Sequence, residues 1–433
     1  EVVTPGDFKS PITKALWEMR RMEQAFTEQG RRGSDSGSRE LPAVPSSTSR
    51  TTITYAFSKD AFLRESYRNP WGFVRVGRIL EDLDALAGNI AFKHCASDPA
   101  FPVLVTASVD RIKMARVARM DQDMTLLGRV VWTGRSSIVI NMRCLVSPAE
   151  ACGIGDALPC WLEANFTFVA RDRESGRATG VNPLAVAVAE DERLFALVQA
   201  QKDRERSLRV SECLGRWSAA GVEVDREGER ERERASLLAA GLPLLQLPSL
   251  ADPHSILARQ TELSSTIICL PQHRNTANRI FGGYLMHRAF QLALCVAYSF
   301  GGSRPQFREI DEARFSDSPR QPVEVGDIVR FDARVLYTEE GDHEPPEASI
   351  EVLASVVRPE AVQTQLSNRF NMTFSFPDIT QTSAQADGGE WGAGEEGVGR
   401  RRLRRVLPAD VTEATRMVAA MERDRLNQEG DLR

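Results

Sequence analysis

The chain has 433 residues, of which 42% are hydrophobic and 27% charged, an ordinary globular composition with room for about two to three domains. A formal net charge of −5 argues against an extended nucleic-acid surface. The seven cysteines form no C-x-x-C, which speaks against a zinc ribbon or a thioredoxin-type site and for a reducing compartment.

The sequence opens on Glu1 rather than Met, so the original N-terminus is expected to be missing, and any cleaved targeting peptide would be invisible with it. Residues 8–30 are expected to be helical and 31–51, rich in Ser, Gly and Pro, to be a linker. Residues 1–51 are therefore assigned to an extension. A first domain is placed at 52–180. It holds a helix from Gly77 to His94, then segments of strand composition at 103–114, 128–145 and 160–172. Residues 181–255 read as a connector with polar helices near Glu190–Arg209 and Asp225–Ala240. Its most apolar stretch, Leu237–Leu250, is broken by Gly241, Pro243 and Pro248, and no run reaches the roughly 18–20 residues of a membrane span. A second domain at 256–380 repeats the pattern. A helix from Gly283 to Phe300 precedes strand-like segments at 327–338, 348–358 and 369–376. Residues 381–433 are expected to be a flexible tail, with a short helix from Ala409 to Arg425. One long apolar helix followed by a run of strands implies an α+β fold, with an antiparallel sheet packed on the helix.

The two domains are copies. Residues 67–87 (YRNPWGFVRVGRILEDLDALA) align with 273–293 (HRNTANRIFGGYLMHRAFQLA) at a spacing of 206. Arg68 falls on Arg274, Asn69 on Asn275, Gly77 on Gly283 and Ala87 on Ala293. The same spacing sets NFTF (165–168) on NMTF (371–374).

In the first helix, Leu80, Leu83, Leu86, Ala87, Ile90 and Ala91 form an apolar face, and Asp84 lies on or beside it. A carboxylate aimed at a core is costly unless paired or functional. Spacing alone leaves open an Asp at the margin, bonded to backbone. The repeat separates Asp84 from an ordinary feature, because its counterpart is Phe290. Gly282 and Gly283 open the second helix, where free N–H groups can stabilise developing negative charge, although such a pair also serves close helix packing. His273 reads as a loop hydrogen-bonder. No H-E-x-x-H, G-x-S-x-G or strand-linked G-x-G-x-x-G occurs.

The segments 270–305 (LPQHRNTANRIFGGYLMHRAFQLALCVAYSFGGSRP) and 310–331 resemble the second hotdog domain of the acyl-coenzyme A thioesterase 9 type, and 69–88 (NPWGFVRVGRILEDLDALAG) resembles its first. The resemblance spans both copies. It implies a tandem (double) hotdog fold, each unit a long central helix wrapped by an antiparallel β-sheet. It also implies hydrolysis of acyl-CoA to a free acid and coenzyme A, without metal or prosthetic group. A homo-oligomer in the mitochondrion is expected, with the cytoplasm as the alternative. Relatives carry H-x-N-P-x-G before the helix. Here the first copy keeps Asn69, Pro70 and Gly72 but has Tyr67, and the second keeps His273 and Asn275 but has Thr276 and Asn278. A two-fold pair of such domains brings each Asn loop to the other helix, which predicts one complete pair, Asp84 with Asn275, and one broken pair, Phe290 with Asn69. Asp84 and Asn275 are thus the expected catalytic residues, with Gly282 and Gly283 as oxyanion or substrate donors. An enoyl-thioester hydratase-like enzyme is the alternative, although the first helix offers its Asp only His94. A non-catalytic acyl-CoA-binding protein is another.

Overall fold

The structure, a computed structural model, describes residue 12 and residues 41–96, 102–115, 117–146, 160–172, 175–214, 222–273, 279–314, 323–339, 345–379 and 403–431. The expected helix over 8–30 falls almost wholly outside these residues, as do Asn275 and the segment 385–402.

Ten strands form one antiparallel sheet. They are β1 (Thr51–Tyr55), β2 (Val103–Met114), β3 (Met124–Thr133), β4 (Ser137–Val146), β5 (Cys160–Arg171), β6 (Leu263–Ile268), β7 (Gln306–Arg314), β8 (Ile328–Glu339), β9 (Glu347–Arg358) and β10 (Gln363–Ser375). The order across the sheet is β1-β3-β4-β5-β2-β7-β10-β9-β8-β6. Each half therefore has the same topology, and the halves meet where β2 pairs with β7, Ile112 opposite Ile310. Both short edge strands, β1 and β6, precede the helix of their own half. The architecture is α+β.

Helix α1 (Val76–Cys95) packs on the first half-sheet and α2 (Gly282–Gly301) on the second. Ile79, Leu80, Leu83, Leu86 and Ile90 are fully buried along one stripe of α1, each worth about 1.5–3 kcal/mol of burial. α2 ends at Gly302, whose φ of 63° lets its N–H close on the Tyr298 carbonyl. The two helices touch near their N-termini, where glycines permit close approach. A Cβ on Gly77 would stand 2.8 Å from the His287 ring, and one on Gly283 2.9 Å from the Asp84 Cβ.

Two helices, α3 (Ala189–Leu214) and α4 (Val222–Gln246), occupy the region between the halves. No helix among the described residues is long and apolar enough to cross a membrane. Part of the stretch expected to be linker is ordered. Val44–Pro45 pairs with Leu184–Ala185, and Ser46 hydroxyl donates to Asp191 at 2.7 Å.

Part of the expected tail, residues 403–431, is likewise ordered. Arg405–Leu407 pairs with Ser255–Leu257, and α5 (Val411–Asp431) docks on the outer face of the second half-sheet. Its stripe Ala414, Met417, Val418 and Ala420 is buried, while Arg416 and Glu413 pair with Glu351 and Arg334 of the sheet at 2.8 and 3.0 Å. The helix expected over Ala409–Arg425 is thus present as α5, and four apolar residues at helical spacing inside a charged segment gave no sign that it docks.

Candidate active site

Asp84 is fully buried in the third turn of α1. Its Oδ1 accepts from the Thr106 hydroxyl of β2 at 2.9 Å, and its Oδ2 accepts from the Gly283 N–H at the start of α2 at 2.6 Å. One carboxylate thus gathers a strand and a helix of its own half and the helix terminus of the other. Burial pushes the Asp84 carboxyl up to about 6, against the pull of the Thr106 and Gly283 bonds, and the charge of Glu81 adds to the rise. At neutral pH the group is ionised yet more basic than an exposed Asp.

Glu81, one turn earlier, accepts from Arg78 at 2.8 Å and from His287 Nδ1 of α2 at 3.0 Å. Burial alone would raise its carboxyl, but the His287 and Arg78 bonds outweigh that and hold it low. Glu81 and His287 are counterparts in the repeat, 206 apart, and they meet each other across the approximate two-fold axis.

The corresponding position in the second half is closed by aromatic rings. Phe290 stands where Asp84 stands in the first. Thr106 pairs with Phe168, and Phe307 pairs with Phe374, so Phe307 takes the place of Thr106. Phe290, Phe307 and Phe374 pack together with ring centroids 5.2–5.9 Å apart. The related helix terminus, at Gly77, faces Phe290 and His287.

The Asn69 side-chain oxygen accepts from the N–H groups of Trp71 and Phe73, both at 3.0 Å. That is an Asx turn, stabilising the loop that leads into α1. Asn275 lies outside the described residues. His273 stacks on Tyr284, ring centroids 3.8 Å apart at 11°. The Gly283 N–H is bonded to the Asp84 carboxylate itself, and Gly282 is partly exposed beside it.

Sequence reasoning missed Thr106 and also Asp82. The second of these is 2% exposed and accepts from the hydroxyls of Tyr55 and Tyr67 at 2.8 and 2.5 Å. Its carboxyl is pushed up to about 6, chiefly by burial. It fastens α1 to β1 and to the short helix, Ala61–Tyr67, that precedes the Asn69 loop. The signal for it was visible: two aromatic residues and one acid, each in a segment otherwise reading as core.

No family model matches the chain. It is 40% identical over 425 residues to acyl-coenzyme A thioesterase 2, chloroplastic, of Humulus lupulus, covering 96% of this chain and 90% of that protein. It is 39% identical over 422 residues to acyl-coenzyme A thioesterase 4, mitochondrial, of the same plant, covering 96% and 74%. Against acyl-coenzyme A thioesterase 9, mitochondrial, of Homo sapiens it is 31% identical over 345 residues, covering 77% and 72%. A buried, basic carboxylate at a helix terminus suits hydrolysis of a thioester, and with these relatives over most of its length the chain belongs to the acyl-coenzyme A thioesterase family.

Proposed function

We propose that this thioesterase is a tandem hotdog protein that cleaves acyl-CoA to a carboxylic acid and coenzyme A at one composite site between its halves. The observation that carries the reading is the asymmetry of a repeated architecture. Asp84 is buried and doubly hydrogen-bonded at the terminus of the opposite helix, whereas its counterpart Phe290 is sealed in an aromatic cluster.

In this mechanism Asp84 either takes a proton from the attacking water or itself attacks the thioester carbonyl. Water attack gives a tetrahedral oxyanion, which expels the coenzyme A thiolate as the C–S bond breaks. Direct attack breaks the C–S bond, releases the coenzyme A thiolate and leaves the acyl group on Asp84 as an anhydride, which water then opens to the free acid and the regenerated carboxylate. Thr106 and the Gly283 N–H fix the carboxylate in place. With the Gly283 N–H held by Asp84, the backbone N–H of Gly282, at the positive end of α2, receives the oxyanion. Asn275 orients the water or the carbonyl. Asn69 stabilises its own loop and takes no part in the reaction.

The test is acyl-CoA hydrolysis by folded variants. Asp84→Asn and Asn275→Ala should each lower kcat by about two orders of magnitude or more, while Asn69→Ala keeps kcat at some expense in stability. A loss in Asn69→Ala equal to that in Asn275→Ala would overturn the one-site reading.

We assign the protein to the mitochondrion; the names of relatives point both there and to the chloroplast, and import assays with each organelle decide. A homo-oligomer is proposed as well. The outer edge strand β6 leaves Leu263 and Ile268 exposed, an unprotected edge suited to burial against a second copy. Sedimentation as a monomer at micromolar concentration would remove that part.

A further inference from the structure

We propose, on the reading that Asp84 reacts and the α2 terminus receives the oxyanion, that Glu81 and His287 are a positioning pair for the thioester cleavage. Their bond across the two central helices holds the first turn of α2 against Asp84.

Two rungs join α1 to the start of α2. In one, the Gly283 N–H donates to Asp84 Oδ2 at 2.6 Å. In the other, His287 Nδ1 donates to Glu81 Oε2 at 3.0 Å. Glu81 precedes Asp84 by three residues and His287 follows Gly283 by four, so on each helix the two rungs stand on one face, a turn apart. A single bond fixes a distance. A second bond one turn away fixes an angle as well, and with it the direction in which the Gly282 N–H points.

The make-up of the second rung sets it apart from ordinary packing. Glu81 and His287 are counterparts in the repeat and meet at the approximate two-fold axis. Identical copies would bring like residues together there, whereas here one copy supplies the acid and the other the base. His287 is 8% exposed, and its Nε2 is buried with no hydrogen-bond partner among the described residues. An unpaired ring nitrogen in the interior costs stability, so an apolar side chain of similar bulk would serve packing better. What such a side chain lacks is the Nδ1 hydrogen for Glu81. Gly77 of α1 seats the ring from the far side: a Cβ there would stand 2.8 Å from the ring Cδ2, the edge opposite Nδ1. Glu81 is held from its own helix too, by Arg78 at 2.8 Å. It lies close to the site, since its charge is felt at Asp84 and at the stacked His273 and Tyr284.

The test is steady-state hydrolysis of whichever acyl-CoA the wild type cleaves fastest in an acetyl- to palmitoyl-CoA series, with melting midpoints measured alongside. His287→Leu keeps bulk and removes the Nδ1 hydrogen. Well below its melt it should lower kcat by about ten- to a hundred-fold, with KM within about two-fold of wild type. His287→Asn carries an amide N–H close to the place of Nδ1 and should bring kcat back to within about three-fold of wild type. Glu81→Ala breaks the same bond from α1, and in the double variant His287→Leu/Glu81→Ala the two losses should not add. A folded His287→Leu with wild-type kcat overturns the proposal, as does His287→Asn no better than His287→Leu. If His287→Leu does not fold, wild-type kcat in Glu81→Ala overturns it alone. Asp84→Asn in the same series separates this pair from the site it serves. Inactive Asp84→Asn beside fully active His287 and Glu81 variants removes the pair only, whereas active Asp84→Asn removes the site reading and the pair with it.

Discussion

At the scale of single residues, the role proposed for Asp84 fixes the pH dependence to expect. Its folded carboxyl sits at about 6, above the ordinary 3.8, and the ionised form is the reactive one in either mechanism. Activity is therefore lost as pH falls through 6, and kcat/KM should drop about ten-fold per pH unit below that point. A profile of kcat/KM between pH 4.5 and 8 reads this directly; an acid limb centred near 4 would show that Asp84 is not the titrating group. Thr106 sharpens the same test. Its bond favours the ionised carboxyl, so Thr106→Val should move the acid limb upward and cost more turnover at pH 6 than at pH 8. Thr106→Ser should restore the wild-type profile. A uniform loss at both pH values would mean that Thr106 only supports the fold.

At the scale of elements, the closest helix contact separates the two halves of the repeat. In Gly283→Ala the new Cβ would lie 2.9 Å from the Asp84 Cβ and 3.0 Å from the Glu81 Cα. Backbone must move, at a cost of about 1–3 kcal/mol, and the Gly283 N–H moves away from the carboxylate. In Gly77→Ala the new Cβ would meet the His287 and Phe290 rings at 2.8 and 3.1 Å, which can turn. Both variants should melt lower, but only Gly283→Ala should lose most of its kcat at saturating substrate. Legibility also divides at this scale. The central helices were readable because their apolar stripes run unbroken, and Asp84 was readable because the repeat put a Phe at its matching position. Thr106 and β7 were not readable. β2 has irregularities between Thr106 and Ser108 and between Asp110 and Ile112, and β7 has the matching pair between Phe307 and Glu309 and between Ile310 and Glu312. Each bulge inserts a residue, so the inward side chains Thr106, Val109 and Ile112 recur every third position instead of every second. The same spacing, with Phe307, Ile310 and Ala313, hides β7 among charged residues. A strand without alternation carries no sequence signal of its inner face.

At the scale of the molecule, similar halves do different work, and each is finished by the chain outside the repeat. The first half carries Asp84, the carboxylate proposed to react. The second is capped by α5, and its outer face is buried: Ser349 and Glu351 of β9 are each 2% exposed. Glu351 depends on its partners there, with Arg416 of α5 at 2.8 Å and Arg369 of β10 at 3.6 Å. A buried carboxylate deprived of its closer cation is poorly compensated, so Arg416→Ala should destabilise the fold by on the order of 3 kcal/mol, read as a lower urea midpoint. Arg416→Met combined with Glu351→Gln removes both charges while keeping bulk, and should recover much of that loss. Since Asp84 and Thr106 belong to the other half-sheet, kcat of the folded Arg416→Ala protein should stay near wild type at temperatures below its melt. A large fall in kcat with an unchanged melting midpoint would instead place α5 in the working of the site, and the division of labour between the halves would have to be redrawn.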